Sequence, residues 1–200
     1  MARTTRTVEI AALNVAMHRP HSADRYVELF RHAYNAQRIF TQGEIHGLML
    51  GSLQGLAEAV ANNEFTGEIY RFVKIDPNEP WFDMVTRAEA TPDQVQQINI
   101  PPHLLAHMQT IPFVFYPREH ELWFVAKDRK TTLAIQVAER FFQRLLEQTA
   151  ATHQMPDVAV TALPDREALD EVLSVPGLHK LELHFKRPNP DGAAPVREPE

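Results

Sequence analysis

Two aromatic-rich segments joined by a four-residue turn constrain the fold of this chain more than any other feature. The first contains Phe113-Val-Phe-Tyr116, the second contains Glu121-Leu-Trp-Phe-Val125, and Pro117 to His120 lie between them. Aromatic and β-branched residues favour strands. Parallel strands need a long crossover connection, so a turn this short predicts an antiparallel hairpin over residues 111–127.

Five further segments have the alternating or apolar pattern of strands. They cover residues 8–17, 44–53, 67–75, 158–163 and the stretch around Leu183. In the first segment the alternation changes phase, which predicts either a β-bulge or a central strand buried on both faces. In the second, Gly47 and Gly51 predict close packing against a neighbouring element, because neither position carries a side chain.

Three segments have helical spacing. The first is predicted to begin after the N-cap Ser22, to run to about Arg38, and to bury Tyr26 and Phe30. The second begins at a cap formed by Thr131 or Thr132 and ends near Glu147. Its inward stripe consists of Ala134, Val137, Ala138, Phe141 and Leu145. The third covers residues 165–174.

The order of these elements predicts an α+β fold. Strands and helices do not alternate strictly, so a mostly antiparallel sheet with helices packed on one face is favoured over a doubly wound fold. We expect a single domain over residues 1–187. Residues 188–200 are rich in Pro, Gly and Ala, and we expect them to form a disordered tail.

Composition excludes several function classes. The chain has no cysteine, which rules out disulfides, thiolate zinc sites and cysteine nucleophiles. It contains no phosphate-binding loop, no dinucleotide fingerprint and no nucleophile elbow. We therefore assign no catalytic residue, no metal ligand and no cofactor. No segment resembles a signal peptide or a membrane span, so we expect a cytoplasmic protein that does not act at a membrane.

Positive charge is concentrated in the first quarter of an otherwise acidic chain. The net charge is −6, yet residues 1–50 hold six arginines against four carboxylates. Clustered cations are what phosphate binding requires. The candidate nucleic-acid contacts are Arg19, Arg25, Arg31, His32 and Arg38. His18 and His21, which precede the first helix, could add to a phosphate site at its N-terminus. The alternative is an ordinary solvated surface.

Arg71 and His46 form a second candidate site. Arg71 alternates with Ile69 and Val73, which predicts that it faces a packed surface, and a buried arginine needs a carboxylate or a bound anion. We expect either an ion pair with Glu44 or Glu68, or an anion site shared with His46.

Two other features of the sequence bear on function. His103 and His107 have the spacing of a helical zinc pair, although two surface histidines are the simpler interpretation. The irregular stretch 81–110 has the length of a functional loop, with short helical turns after Pro92 and Pro102.

Several motifs carry a family resemblance. They are Gly51-Ser-Leu, Thr66-Gly-Glu-Ile-Tyr-Arg-Phe-Val-Lys-Ile-Asp76, Pro80-Trp-Phe-Asp83, Ile100-Pro101, the 111–124 hairpin and Arg187-Pro-Asn-Pro-Asp191. Over most of residues 8–190 the chain resembles bacterial domain-of-unknown-function family 4747, which occurs in bacteria and mobile elements. Its outline is also similar to that of the phage lambda exclusion protein RexA, a DNA-binding sensor, and of DNA-binding subunits in defence systems.

The resemblance implies a non-enzymatic component of an anti-phage or mobile-element system. Such a component would recognise DNA or RNA, or a phage or host protein, and a protein partner or a homo-oligomer fits equally. Two alternatives stay open: a metal-dependent nuclease or toxin-like enzyme, and a protein–protein scaffold subunit.

Overall fold

Nine strands and four helices make up the part of the chain that the structure, a computed structural model, describes: residues 7–43, 45–76, 78–101 and 103–163. The strands are β1 (Glu9–Met17), β2 (Phe40–Gln42), β3 (His46–Gln54), β4 (Phe65–Val73), β5 (Phe82–Asp83), β6 (Ala88–Glu89), β7 (Ala106–Tyr116), β8 (Glu121–Lys127) and β9 (Val158–Ala162). The helices are α1 (Ala23–Asn35), α2 (Ala59–Asn62), α3 (Pro92–Gln96) and α4 (Ile135–Thr152). The predicted third helix, last strand and tail lie outside the described residues.

Seven of the strands form one curled antiparallel sheet in the order β2-β3-β4-β7-β8-β1-β9. The predicted hairpin is its centre: β7 and β8 pair from Phe113 opposite Phe124 to Tyr116 opposite Glu121. Strand β1 lies between β8 and β9 and has a bulge near Ile10. From Ala12 onward it is buried on both faces, so both explanations of the phase change are correct.

Helices α1 and α4 pack on one face of the sheet, which we call the inner face. The Phe30 ring of α1 lies 4.8 Å from that of Phe115, and the Phe142 ring of α4 lies 5.7 Å from that of Phe113. These contacts belong to a single cluster of buried apolar side chains drawn from α1, α4 and six strands of the sheet. The predicted α+β architecture is therefore confirmed.

The glycines of β3 are sites of close approach, as predicted. A Cβ atom on Gly51 would lie 2.5 Å from the Tyr70 ring, and one on Gly47 would lie 2.3 Å from the Phe72 ring. Both distances are far below van der Waals contact, so the aromatic rings of β4 can lie across β3 only because these side chains are missing.

Three predicted boundaries are wrong. Helix α1 ends at Asn35 rather than near Arg38, and the short edge strand β2 follows it. Helix α4 extends five residues beyond Glu147, to Thr152, and its N-cap is Ala134. Thr131 cannot cap α4 because its hydroxyl donates to Asp128 Oδ1 (3.0 Å) in the preceding turn, and Thr132 forms a bridge with Lys127.

The stretch 81–110 is more regular than predicted. It contains the small β5–β6 hairpin and α3, which is the helical turn expected after Pro92. After Pro101, a hydrogen bond from Leu104 N to the Pro101 carbonyl closes a single turn, and β7 begins at Ala106. His103 and His107 therefore do not share a helix, and the i,i+4 geometry of a zinc pair is absent. Both side chains are exposed, as the simpler interpretation of two surface histidines predicts.

Candidate nucleic-acid interface

The predicted cations of α1 occupy different environments. Ser22 accepts a hydrogen bond from Arg25 N (3.3 Å), which confirms the predicted N-cap, and the side chains of Arg25 and Arg31 are exposed. His32 lies 3.5 Å from the Glu28 carboxylate, and its ring stacks on that of His153 at 3.7 Å. The stack brings the C-terminal end of α1 against the C-terminal end of α4.

Arg38 lies beyond α1 and contacts α4. Gln37 has a φ of 48°, which turns the chain away from the helix axis. The guanidinium then donates to Gln148 Oε1 at 3.2 Å and to Thr152 Oγ1 at 3.1 Å. Arg38 is therefore held at a fixed position between β2 and α4, and it does not share a helical face with Arg31.

Arg140 and Arg144 of α4 form a row with Arg38 along one side of the helix. Arg144 lies 5.1 Å from the centroid of the Phe40 ring of β2, and together with Arg38 it lines a shallow cavity of about 90 Å³. Arg140 precedes Arg144 by one helical turn, and its Nε donates to the Gln136 carbonyl at 3.2 Å. We call Arg38, Arg140 and Arg144 the α4 arginine row.

No member of the row is neutralised by a carboxylate within the described residues. Their polar partners are the Gln148 amide, the Thr152 hydroxyl and the Gln136 carbonyl. Helix α4 also carries two acids, Glu139 and Glu147, but neither forms an ion pair with the row. Glu147 accepts a hydrogen bond from Gln143 (3.4 Å), whose side chain also donates to the Val158 carbonyl of β9. The row is therefore a set of three guanidiniums without carboxylate partners among the described residues, on a helix that carries as many glutamates as arginines and on a chain whose net charge is −6.

The predicted neighbours His46 and Arg71 are brought together by the pairing of β3 with β4. With His107 and Gln109 of β7 they line a cavity of about 90 Å³, which we call the Arg71 pocket. Arg71 Nη1 donates to the Thr132 carbonyl at 2.9 Å, whereas its Nε is buried and has no hydrogen-bond partner. Sequence reasoning considered His107 only together with His103 and did not consider Gln109, although the alternation of both residues with Ile111 could have placed them here.

Of the two predicted ion-pair partners of Arg71, Glu44 lies outside the described residues, and Glu68 does not form the pair. Glu68 accepts hydrogen bonds from Ser52 Oγ (3.0 Å) and from the Tyr70 hydroxyl (3.2 Å) on the outer face of the sheet. Burial raises the pKa of the Tyr70 phenol, and the adjacent Glu68 carboxylate raises that pKa further. Because side chains three residues apart on a strand point to opposite faces, Glu68 cannot reach the guanidinium of Arg71.

The row and the pocket lie along the same helix. Thr132, which binds Arg71, precedes the first residue of α4 by three positions, and Thr152, which binds Arg38, is its last residue. An 18-residue helix is about 27 Å long. The order along α4 is therefore the Arg71 pocket, Arg140, Arg144 and Arg38.

The outer face of the sheet presents an open apolar groove of about 820 Å³ between β1, β7 and β8. Its lining includes Ile10, which is 64% exposed, and Trp123, which is 40% exposed. An exposed apolar surface of this kind is typical of contacts with another protein.

The described residues offer neither a metal site nor a helix that could span a membrane. No three His, Asp or Glu side chains there converge in a way that could hold a metal ion. None of the helices in those ranges is long and apolar enough to cross a bilayer.

Comparison with known proteins identifies one family. The model of a domain of unknown function, DUF4747, matches residues 6–195. No curated protein and no solved structure matches the chain.

Proposed function

Because the chain belongs to the DUF4747 family of domains of unknown function, with no activity to inherit, we propose from its geometry that it binds the phosphate backbone of nucleic acid. The proposed surface has the α4 arginine row at its centre. Beyond Arg38 it continues to the predicted α1 cations Arg25, Arg31 and His32. Beyond Arg140 it continues to the Arg71 pocket. Arg19, in the turn before α1, completes the predicted set.

The observation that carries this proposal is the row itself. Three guanidiniums lie along one side of a single helix, and none pairs with a carboxylate in the described part of the chain. Contacts with phosphates fix the position of a protein on nucleic acid without reading its sequence. Helices α1 and α4 bury one side against the sheet, and the exposed helix α3 has only five residues. None of them has the form of a recognition helix, so we expect binding that is largely independent of sequence.

The biological role follows from the resemblance described above. We propose a non-enzymatic component of a bacterial anti-phage or mobile-element system, acting in the cytoplasm, in the manner suggested by the outline similarity to RexA. Nucleic acid, either DNA or RNA, is the proposed ligand.

A fluorescence anisotropy titration tests the proposal. Labelled single- and double-stranded DNA and RNA of the same sequence are titrated with protein at about 50 mM salt, where phosphate contacts are strong. We expect binding by the wild-type protein and much weaker binding by Arg140→Gln/Arg144→Gln. A matched control, Arg87→Gln/Arg118→Gln, removes the same charge away from the row and should bind like the wild type.

Three outcomes would redirect the proposal. Absence of wild-type binding to every oligonucleotide contradicts it, as does equal loss of affinity in both double variants. Cleavage of the oligonucleotides on addition of Mg²⁺ or Mn²⁺, suppressed by EDTA, would favour the nuclease alternative. An Arg25→Gln/Arg31→Gln variant separately measures how much α1 contributes.

The scaffold alternative has one observation of its own, the apolar groove on the outer face. If the protein acts through this groove, light scattering should show self-association or a complex that Trp123→Ser weakens. The Arg140→Gln/Arg144→Gln variant should leave that association unchanged.

A further inference from the structure

The Arg71 pocket offers hydrogen-bond donors to an anion, and its described lining contains no carboxylate that would repel one. Its described lining consists of His46, Arg71, Phe72, Val73, His107 and Gln109, and no carboxylate is among them. Arg71 cannot lose its proton, so its charge in this partly buried position needs an external counter-ion.

The guanidinium of Arg71 is oriented in advance. Its Nη1 is bound to the Thr132 carbonyl at 2.9 Å, which fixes the plane of the group. The other edge of the guanidinium, formed by Nε and Nη2, makes no hydrogen bond within the described residues, and Nε is buried. Two parallel N–H donors on such an edge match two oxygens of a phosphate. Because Nε exposes almost no surface, a phosphate reaches it only after a neighbouring side chain shifts, and the hydrogen bond then formed relieves the cost of a buried donor without a partner.

Gln109 also holds the ring of His107 in place. Gln109 Nε2 lies 3.1 Å from His107 Nε2 and 3.4 Å from the Lys130 carbonyl. An amide nitrogen donates, so His107 Nε2 accepts in the tautomer that carries its proton on Nδ1. His107 and His46 each add an imidazole to the lining of the pocket.

The size of the pocket limits what it can hold. Its volume of about 90 Å³ is far below the several hundred cubic ångströms that pockets for drug-sized ligands occupy. A phosphate group fits this space. A terminal phosphate carries a sugar on one side only, whereas an internal phosphodiester carries a sugar on each side and is harder to place in so small a cavity.

From these observations we propose that the Arg71 pocket binds the terminal phosphate of a nucleic-acid strand whose backbone follows the α4 arginine row. The assignment rests on the proposed function, because a strand that follows the row along α4, a helix of about 27 Å, approaches the pocket at the N-terminal end of that helix. It adds to that function a preference for one chemical form of the strand end. The protein would then sense phosphorylated ends rather than nucleic acid in general.

The test compares oligonucleotides that differ only at their ends. Anisotropy titrations use one sequence with a 5′-phosphate, with a 3′-phosphate, or with hydroxyls at both ends. We expect one phosphorylated form to bind the wild-type protein about tenfold more tightly than the hydroxyl form, as a charge-assisted contact implies. Arg71→Gln should abolish the preference, and His46→Gln should reduce it. Arg140→Gln/Arg144→Gln should weaken the binding of all three oligonucleotides and leave the ratios between their affinities unchanged.

Inorganic phosphate provides a second measurement that needs no nucleic acid. It should raise the melting temperature of the wild-type protein and of the Arg140→Gln/Arg144→Gln variant, but not that of Arg71→Gln. If Arg71→Gln fails to fold, His46→Gln and His107→Gln take its place in both assays. Stabilisation by phosphate without any oligonucleotide binding would mean that the pocket takes phosphate from another source and that the proposed function is wrong. If all three oligonucleotides bind the wild-type protein with equal affinity, the strand-end assignment is wrong even though the proposed function stands.

Discussion

The guanidinium of Arg144 lies 5.1 Å above the ring of Phe40, and this contact joins α4 to the edge strand β2. Cation–π contacts at exposed sites contribute about 0.5–1 kcal/mol. A double-mutant cycle with Phe40→Leu and Arg144→Gln, measured by urea denaturation, should therefore give a coupling free energy of about 0.5–1 kcal/mol. Additive effects of the two substitutions would show that the contact does not position Arg144.

The Phe141 side chain is completely buried beneath the sheet and packs against Phe142 and Phe40. Phe141→Ala should lower the free energy of unfolding by about 3–5 kcal/mol, because it removes the ring and leaves a cavity. The exposed neighbour Arg140, changed to Gln, should alter that free energy by less than about 0.5 kcal/mol. A loss below about 1 kcal/mol for Phe141→Ala would mean that α4 packs differently.

Gly67 allows β4 to lie beneath a phenylalanine of the neighbouring strand. A Cβ atom at this position would lie 2.4 Å from the Phe113 ring and 2.7 Å from the Ser52 carbonyl. Gly67→Ala should therefore destabilise the protein by about 1–3 kcal/mol through overpacking. Thr66→Ala, at the adjacent exposed position, is the control in the same denaturation experiment. Equal unfolding midpoints for the two variants would contradict the close approach.

Asp83 and Gln94 connect the β5–β6 hairpin to α3. The Gln94 side chain donates to Asp83 Oδ2 at 2.9 Å, and the backbone N–H groups of Val85 and Thr86 donate to Oδ1. These hydrogen bonds, that from Gln94 first among them, lower the pKa of Asp83 from 3.8 to about 2. The ionised form is therefore favoured in the folded hairpin.

A depressed pKa in the folded state fixes the sign of the pH effect. The local stabilisation is complete above pH 3.8 and is lost as the pH falls toward about 2. In an NMR titration, Gln94→Ala should raise the pKa of Asp83 toward 3.8. Amide exchange at Val85 and Thr86 should become faster in the same variant. An Asp83 titration that Gln94→Ala leaves unchanged would contradict this account.

The fold was predictable where the pattern of residues is local. The β7–β8 hairpin needed only two apolar segments and a short turn, and the Ser22 cap of α1 needed one residue type at one position. The missed strand β2 has only three residues, too few to produce a recognisable alternation. The cap of α4 was misassigned because Thr131 is held by Asp128, a competition between partners that spacing does not reveal.

The candidate interface was predictable only in part. The proximity of His46 and Arg71 followed from two strands expected to pair, but His107 and Gln109 reach the pocket through an extension of β7 that the helical interpretation of His103 and His107 concealed. Arg140 and Arg144 were not singled out because a polar helix face is ordinarily solvated. Their significance depends on Phe40 and Arg38, which lie about a hundred residues away in the sequence.

The dependence of binding on salt tests the central claim most directly. Each phosphate contact on duplex DNA contributes about −0.9 to the slope of log K against log salt concentration, so three or four contacts predict a slope of about −3 to −4. Replacing Arg38, Arg140 and Arg144 by Gln should reduce the magnitude of the slope by about one for each arginine. If the triple variant binds with the slope and affinity of the wild-type protein, the α4 arginine row does not contact nucleic acid and the account is wrong.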